Sequence, residues 1–177
     1  MRWWDVEAVL ATERELFGAT AWSAETFWSE LAQADSRYYL VAEDAAAETV
    51  AEDAAASPAD DAGAAADDAR PGQTGVLGYA GLMLSGSEAD VQTIGVAARA
   101  QGRGLGATLL QALVDEALRR GAGALLLEVR ADNEPAIRLY RRFGFEQLAV
   151  RRGYYQPGDV DALVMRRRPL RRTNLPR

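Results

Sequence analysis

Three features of the 177-residue chain carry candidate chemistry: a glycine-rich turn at 101–107, a carboxylate at 128, and an Asn–Tyr pair at 133 and 140. The turn reads Gln101-Gly102-Arg103-Gly104-Leu105-Gly106-Ala107. It follows a β-rich run (Val91 to Val96) and opens a strongly patterned helix (Leu105 to Arg120). Gly104 and Gly106 are expected to let the backbone turn tightly and approach a bound group. The free amides of the helix start then point at that group with the positive end of the dipole. Such a turn suits phosphate. It is neither GxGxxG nor GxxxxGK[ST], and the chain contains no lysine, so a P-loop lysine is excluded.

Glu128 sits in ALLLEVR (124–130), the most apolar run of the chain. Alternation puts Leu125, Leu127 and Val129 on one face and Leu126, Glu128 and Arg130 on the other. A carboxylate there is costly unless paired or solvated from a cleft. An ion pair with Arg130 or another arginine answers the cost structurally. Partial burial, raising its pKa, would instead make it a general base for an ammonium nucleophile. Asn133 and Tyr140 lie two helical turns apart and share a face. Each has a plainer use, as a helix cap and a core aromatic. Ile94, Gly95 and Val96 lead into the turn, and Gly95 fits a place where backbone meets ligand.

Composition narrows the chemistry. Cysteine and histidine are both absent, which removes disulfides, thiolate catalysis, histidine bases and the usual zinc ligands. Acid–base work falls to Asp, Glu, Tyr or water, and no metal is expected. The net charge of −6 misleads: nine acidic residues fall between 43 and 68, and the rest of the chain carries an excess of three positive charges. No apolar run reaches membrane-spanning length, and Met1-Arg2-Trp3-Trp4-Asp5 shows no signal-peptide pattern. A cytoplasmic protein is expected.

The elements that must position these groups follow from pattern. Helices are expected over Trp3 to Phe17 and Ser23 to Leu31, the second capped by Ser23. Strands are expected over Arg37 to Glu43, Val76 to Leu84 and Glu88 to Val96, then the 105–120 helix and the 124–130 strand. A helix opens at Asp132-Asn133-Glu134-Pro135 and runs to about Arg142. Phe145 to Arg151 and Asp161 to Arg167 close the sheet, joined by Gly153 to Gly158. One more strand is expected before or within the first block. Glu43 to Gly75 is mostly Ala, Asp and Glu, read as a disordered insertion at a hairpin tip. The expected organisation is one α/β (α+β) domain over 1–168, interrupted at 43–75, with a basic disordered tail at 169–177.

The turn, LLLEVRADN, the Asn–Tyr pair and Phe143-Gly144-Phe145 occur in order and resemble the GNAT superfamily of N-acetyltransferases. The resemblance implies that fold, with a central mixed, mostly antiparallel sheet flanked by helices, and acetyl-coenzyme A as co-substrate. It assigns Glu128 as proton acceptor and Tyr140 as proton donor to the leaving sulfur. Ile94, Gly95, Val96, Gln101, Gly102, Arg103, Gly104, Leu105, Gly106, Ala107 and Asn133 would bind the cofactor, on a strand that splays from its neighbour.

LEVR-x-x-N-x-x-A-I-x-L-Y, followed by RRGYY and DALVM, and AWSAETF near the start, resemble the bacterial ribosomal-protein alanine N-acetyltransferases of the RimI type. That implies a ribosomal protein N-terminus as acceptor, with Trp22, Tyr154 and Tyr155 bordering the peptide groove. Gly102 stands where relatives often carry Arg. A small-amine or lysine acetyltransferase and a non-catalytic acyl-coenzyme A sensor are the competing readings. Six arginines between Arg166 and Arg177 would allow an accessory RNA contact.

Overall fold

The computed structural model describes residues 1–44 and 75–171. Its helices are α1 (Val6–Phe17), α2 (Ala24–Leu31), α3 (Leu105–Arg119) and α4 (Glu134–Arg142). Its strands are β1 (Arg37–Glu43), β2 (Val76–Ser85), β3 (Glu88–Val96), β4 (Ala124–Arg130), β5 (Glu146–Tyr155) and β6 (Val160–Arg167). They form one sheet in the order β1-β2-β3-β4-β6-β5. Every neighbouring pair is antiparallel except β3–β4. The expected mixed, mostly antiparallel sheet is therefore present. The extra strand expected near the start is not found among the described residues. Short 3₁₀ turns at Trp3–Asp5 and Gly18–Thr20 flank α1 instead.

Strand alternation divides the core in two. Ala80, Leu82, Leu125 and Leu127 meet Leu109, Leu110 and Leu113 of α3 and Ile137 and Tyr140 of α4 on one face. Tyr39 and Tyr79 meet Val6 and Val9 of α1 and Phe27 of α2 on the other. Each fully buried leucine of α3 contributes about 1.5–3 kcal/mol. Ser23 caps α2 by accepting the Thr26 amide at 3.3 Å. β1 and β2 pair up to Glu43↔Val76, and the Asp44 amide donates to Gly75 O at 2.7 Å. The acidic segment thus joins the two strands of a hairpin; residues 45–74 of it lie outside the described residues.

Two boundaries differ from expectation. β5 continues through Tyr155, so Gly153 to Tyr155 belong to the strand and the turn proper is 156–159. The folded part also passes residue 168. Leu170 is buried, and its amide donates to Gly123 O at 3.0 Å, so an apolar residue inside a basic run closes the core. Residues 172–177 lie outside the described residues.

The feature that opens a site is the parting of β3 and β4. They pair only from Glu88↔Ala124 to Val91↔Leu127. At that point β3 carries one extra residue, Gln92, against β2, since Leu82 faces Val91 and Gly81 faces Thr93. A bulge bends the strand that carries it, and beyond it β3 follows β2 alone. The Ala97 amide donates to Leu77 O at 3.0 Å, toward β2. Alternation then turns Val96 and Ile94 toward the gap beside β4.

Candidate active site

A cavity of about 580 Å³ lies on the α1 side of the sheet, where β3 and β4 separate. It gathers Trp22, Ile94, Glu128, Asn133, Tyr140, Tyr154 and Tyr155, drawn from six places in the chain. Gly95, Val96 and residues 101–107 are not part of its wall; they continue the same strand beyond it and form the turn.

Glu128 projects from β4 as alternation requires. Leu125, Leu127 and Val129 are buried under the helices of the other face. The carboxylate is a third exposed and accepts from Arg151 Nη1 of β5 at 2.6 Å. Arg130, the nearer candidate in sequence, pairs with Asp132 at 2.8 Å instead. The Arg151 guanidinium also lies over the Tyr154 ring, 3.9 Å from its centroid, and Arg130 lies 5.5 Å over Tyr155. Tyr155 is half-buried, and burial, then the Glu128 charge, raise its pKa. Asp90 on β3 lines the cavity as well.

Asn133 and Tyr140 are presented by α4. Asn133 Oδ1 accepts the Ala136 amide at 3.2 Å, so its carbonyl caps the helix and its NH₂ remains to face the cavity. Tyr140 is buried at 5% exposure, against Phe145 at 5.9 Å between ring centroids. Burial raises the phenol's pKa well above its ordinary value, with Tyr155 adding to the effect. It therefore stays protonated through the neutral range.

In the turn, Gly102 (φ 75°) and Gly104 (φ 82°) take left-handed conformations, and Gly104 is the N-cap of α3. Gly106 is already helical, so the expected pair Gly104–Gly106 becomes Gly102–Gly104 for the bend. Gly106 serves packing: a Cβ there would stand 3.6 Å from Leu139 and 3.8 Å from Val96. Gly104 O accepts the Ala107 and Thr108 amides, which leaves those of Leu105 and Gly106 at the open helix end. Gln101 Nε2 donates to Val96 O at 3.0 Å and ties turn to strand. Of the flanking arginines, Arg99 donates to Val76 O at 2.8 Å and Arg138 pairs with Glu134 at 3.0 Å.

The sequence pattern missed Glu13 and Tyr79. Glu13 is 2% exposed, faces the cavity from α1, accepts the Trp22 amide at 3.0 Å and accepts the Tyr79 hydroxyl. Burial, opposed by those two bonds, raises its pKa. Tyr79 occupies the space in which a Cβ on residue 95 would stand, 2.7 Å from the ring. A side chain at position 95 is thus excluded by a neighbour's ring. No local signal marks Glu13, because its partners lie nine and 66 residues away.

This architecture, a sheet parted beside a glycine-bent helix start, is that of an acetyltransferase. The Acetyltransferase (GNAT) family profile matches residues 7–145, and the chain belongs to that family. It is 48% identical over 103 residues to N-alpha-acetyltransferase RimI of Mycobacterium tuberculosis, 56% of this chain and 63% of that protein. It is 28% identical over 165 residues to a putative ribosomal protein bS18-alanine N-acetyltransferase of Bacillus subtilis, 93% of this chain and 90% of the relative. The crystal structure of the ribosomal-protein-S18-alanine N-acetyltransferase from Escherichia coli superposes with a TM-score of 0.72 at 27% identity, covering 98% of this chain and 94% of that one. The match to the mycobacterial relative spans less than two-thirds of that protein. Among the described residues no helix is long and apolar enough to cross a membrane.

Proposed function

We propose that the chain transfers an acetyl group from acetyl-coenzyme A to the α-amine of an N-terminal alanine on a small-subunit ribosomal protein, met in the cytoplasm. The observation that carries the reading is the gap between β3 and β4. It runs from the glycine turn to a cavity lined by the carboxylate of Glu128 and the protonated phenol of Tyr140. The names of the bacterial relatives supply the acceptor.

In this reading the diphosphate of the cofactor lies against the 102–107 turn and meets the open amides of Leu105 and Gly106 at the start of α3. The pantetheine arm lies along β3 as an added strand, against Ile94, Gly95 and Val96, and reaches the Asn133 amide. Positioning supplies most of the acceleration. An α-amine with a pKa of about 7.7–8.0 needs little help to become neutral. Glu128 takes its proton, directly or through water, once Arg151 gives up its hydrogen bond to the carboxylate and stays on the Tyr154 ring. The amine attacks the thioester carbon, the Val96 amide steadies the oxyanion, the C–S bond breaks as Tyr140 protonates the thiolate, and the nitrogen gives up its second proton, which restores the Tyr140 phenol through water. Trp22, Tyr154 and Tyr155 border the acceptor.

The test is acetyl transfer from labelled acetyl-coenzyme A to peptides beginning Ala-Arg, with polyamines, aminoglycosides and lysine peptides as rivals. The N-terminal alanine should be modified with the highest kcat/KM. Preference for another amine would overturn the acceptor, and calorimetric cofactor binding without turnover of any amine would leave a sensor.

A further inference from the structure

Beside Glu128 the cavity is lined by two carboxylates that this mechanism does not use: Glu13, held by the Trp22 amide and the Tyr79 hydroxyl, and Asp90. Ala89 of β3 is buried on the α3 face, so Asp90 points to the cavity face. In the parallel register Asp90 stands opposite Leu126, and Glu128 lies two residues further along the same face. Their Cα atoms are therefore roughly 8 Å apart, close enough for one small cation to lie between the side chains. The two acids differ in their partners. Glu128 has Arg151, whereas Asp90 is half-buried and nothing pairs with it among the described residues. The groups around it are Glu88 on its own strand, Met83 across on β2, Glu128 and Arg130 on β4, Arg151 on β5 and Glu13 on α1. Burial, then the charges of Glu88 and Glu128, raise its pKa. A carboxylate so placed costs stability unless a cation arrives from outside.

We propose that Asp90 receives the ammonium group of the acceptor, on the opposite side of the cavity from the base. The proposal rests on the acetyl-transfer reading and adds a residue to it. The acceptor enters as R–NH₃⁺, and Asp90 accepts one N–H. Glu128 removes a second proton, and the amine turns about its hydrogen bond to Asp90 to bring the freed lone pair to the thioester carbon. Asp90 keeps its hydrogen bond as the C–N bond forms, so it orients the nucleophile without taking the proton.

The experiment compares wild type with Asp90→Asn and Asp90→Glu, at pH 6.5 and pH 9, on a peptide beginning with alanine. At pH 6.5 D90N should raise the peptide KM about tenfold, leave the KM of acetyl-coenzyme A unchanged, and be partly rescued by D90E. At pH 9, where the free amine is neutral, the difference should shrink. Equal peptide KM values at pH 6.5, or the same ratio at both pH values, overturn the assignment. A measurement without variants guards against a folding defect. Coenzyme A-loaded wild type should bind the peptide more tightly than its N-formyl form at pH 6.5, and equal affinities overturn the proposal. If wild type ignores alanine peptides but acetylates another amine, the proposed acceptor fails. The Asp90 comparison is then read on that amine, where equal KM values overturn it separately. An absence of turnover on every amine removes both.

Discussion

At the scale of single residues, the base and acid roles proposed for Glu128 and Tyr140 make opposite demands on their surroundings, and the fold suits both. A base must reach solvent and substrate, and Glu128 stands at the cavity wall, where among the described residues Arg151 alone is hydrogen-bonded to it. An acid must hold its proton until a thiolate appears, and burial of Tyr140 ensures that. Glu128→Gln should leave calorimetric acetyl-coenzyme A binding intact and lower kcat about 10²–10⁴-fold at pH 7. The deficit should narrow above pH 8, where the acceptor amine is neutral without help; a constant deficit across pH removes the base role. Tyr140→Phe should slow transfer while shifting the melting temperature by less than about 2 °C, because the ring's packing on Phe145 is kept. A wild-type rate in that variant takes Tyr140 out of the mechanism. Glu128 was legible in the sequence because one polar residue interrupts an apolar run. Arg151 was not, since its approach depends on β6 lying between β4 and β5, an order no local pattern encodes.

At the scale of elements, the glycine turn separates two uses of the same residue. Gly104 supplies a left-handed φ, and Gly106 supplies room. Gly104→Ala should cost about 1 kcal/mol in urea denaturation through backbone strain. Gly106→Ala should be neutral or stabilising by up to about 1 kcal/mol, from helix propensity. It should leave acetyl-coenzyme A binding within a few-fold, because its methyl group packs on Leu139 and Val96 and leaves the open amides free. A large loss of affinity in G106A would show that the cofactor passes between the helix and Val96. The sequence located this turn and its helix to within a residue, since glycine spacing and apolar periodicity are local signals. It misassigned which glycines bend, because only the backbone dihedrals distinguish them. Gly95 has in addition a packing reason that no local pattern shows: the ring of Tyr79, delivered by β2 and held by Glu13 of α1, fills the space a side chain would need. Gly95→Ala should therefore destabilise the fold by about 1–3 kcal/mol, and an unchanged urea midpoint would show that the ring yields freely.

At the scale of the whole molecule, the far end of α3 fastens the helix layer to the sheet edge. Glu116 is a tenth exposed and accepts from Arg119 and from Arg120, at 2.7 and 2.6 Å. Arg120 also donates to Asp35 O at 2.9 Å, which ties α3 to the segment entering β1. The Arg119 hydrogen bond first, and Arg120 with it, pull the Glu116 carboxyl down to about 2 against burial that pushes it up. The native state therefore binds this proton less readily than the unfolded chain, whose ordinary glutamate value is near 4.5. The stabilisation is fully present above pH 4.5 and is lost as the pH falls toward 2. Glu13 has the reverse sign, because its pKa is raised in the fold, so acidification relieves rather than loosens that site. Glu116→Gln isolates the first effect from the many acidic residues of the chain, which titrate alike in both proteins. The variant should be less stable by about 2 kcal/mol at pH 7. Its deficit in melting temperature should close between pH 4.5 and pH 2, as the wild-type carboxyl becomes neutral too. A deficit that stays constant across that window would mean that packing at the helix end, not charge, fastens α3 to the sheet.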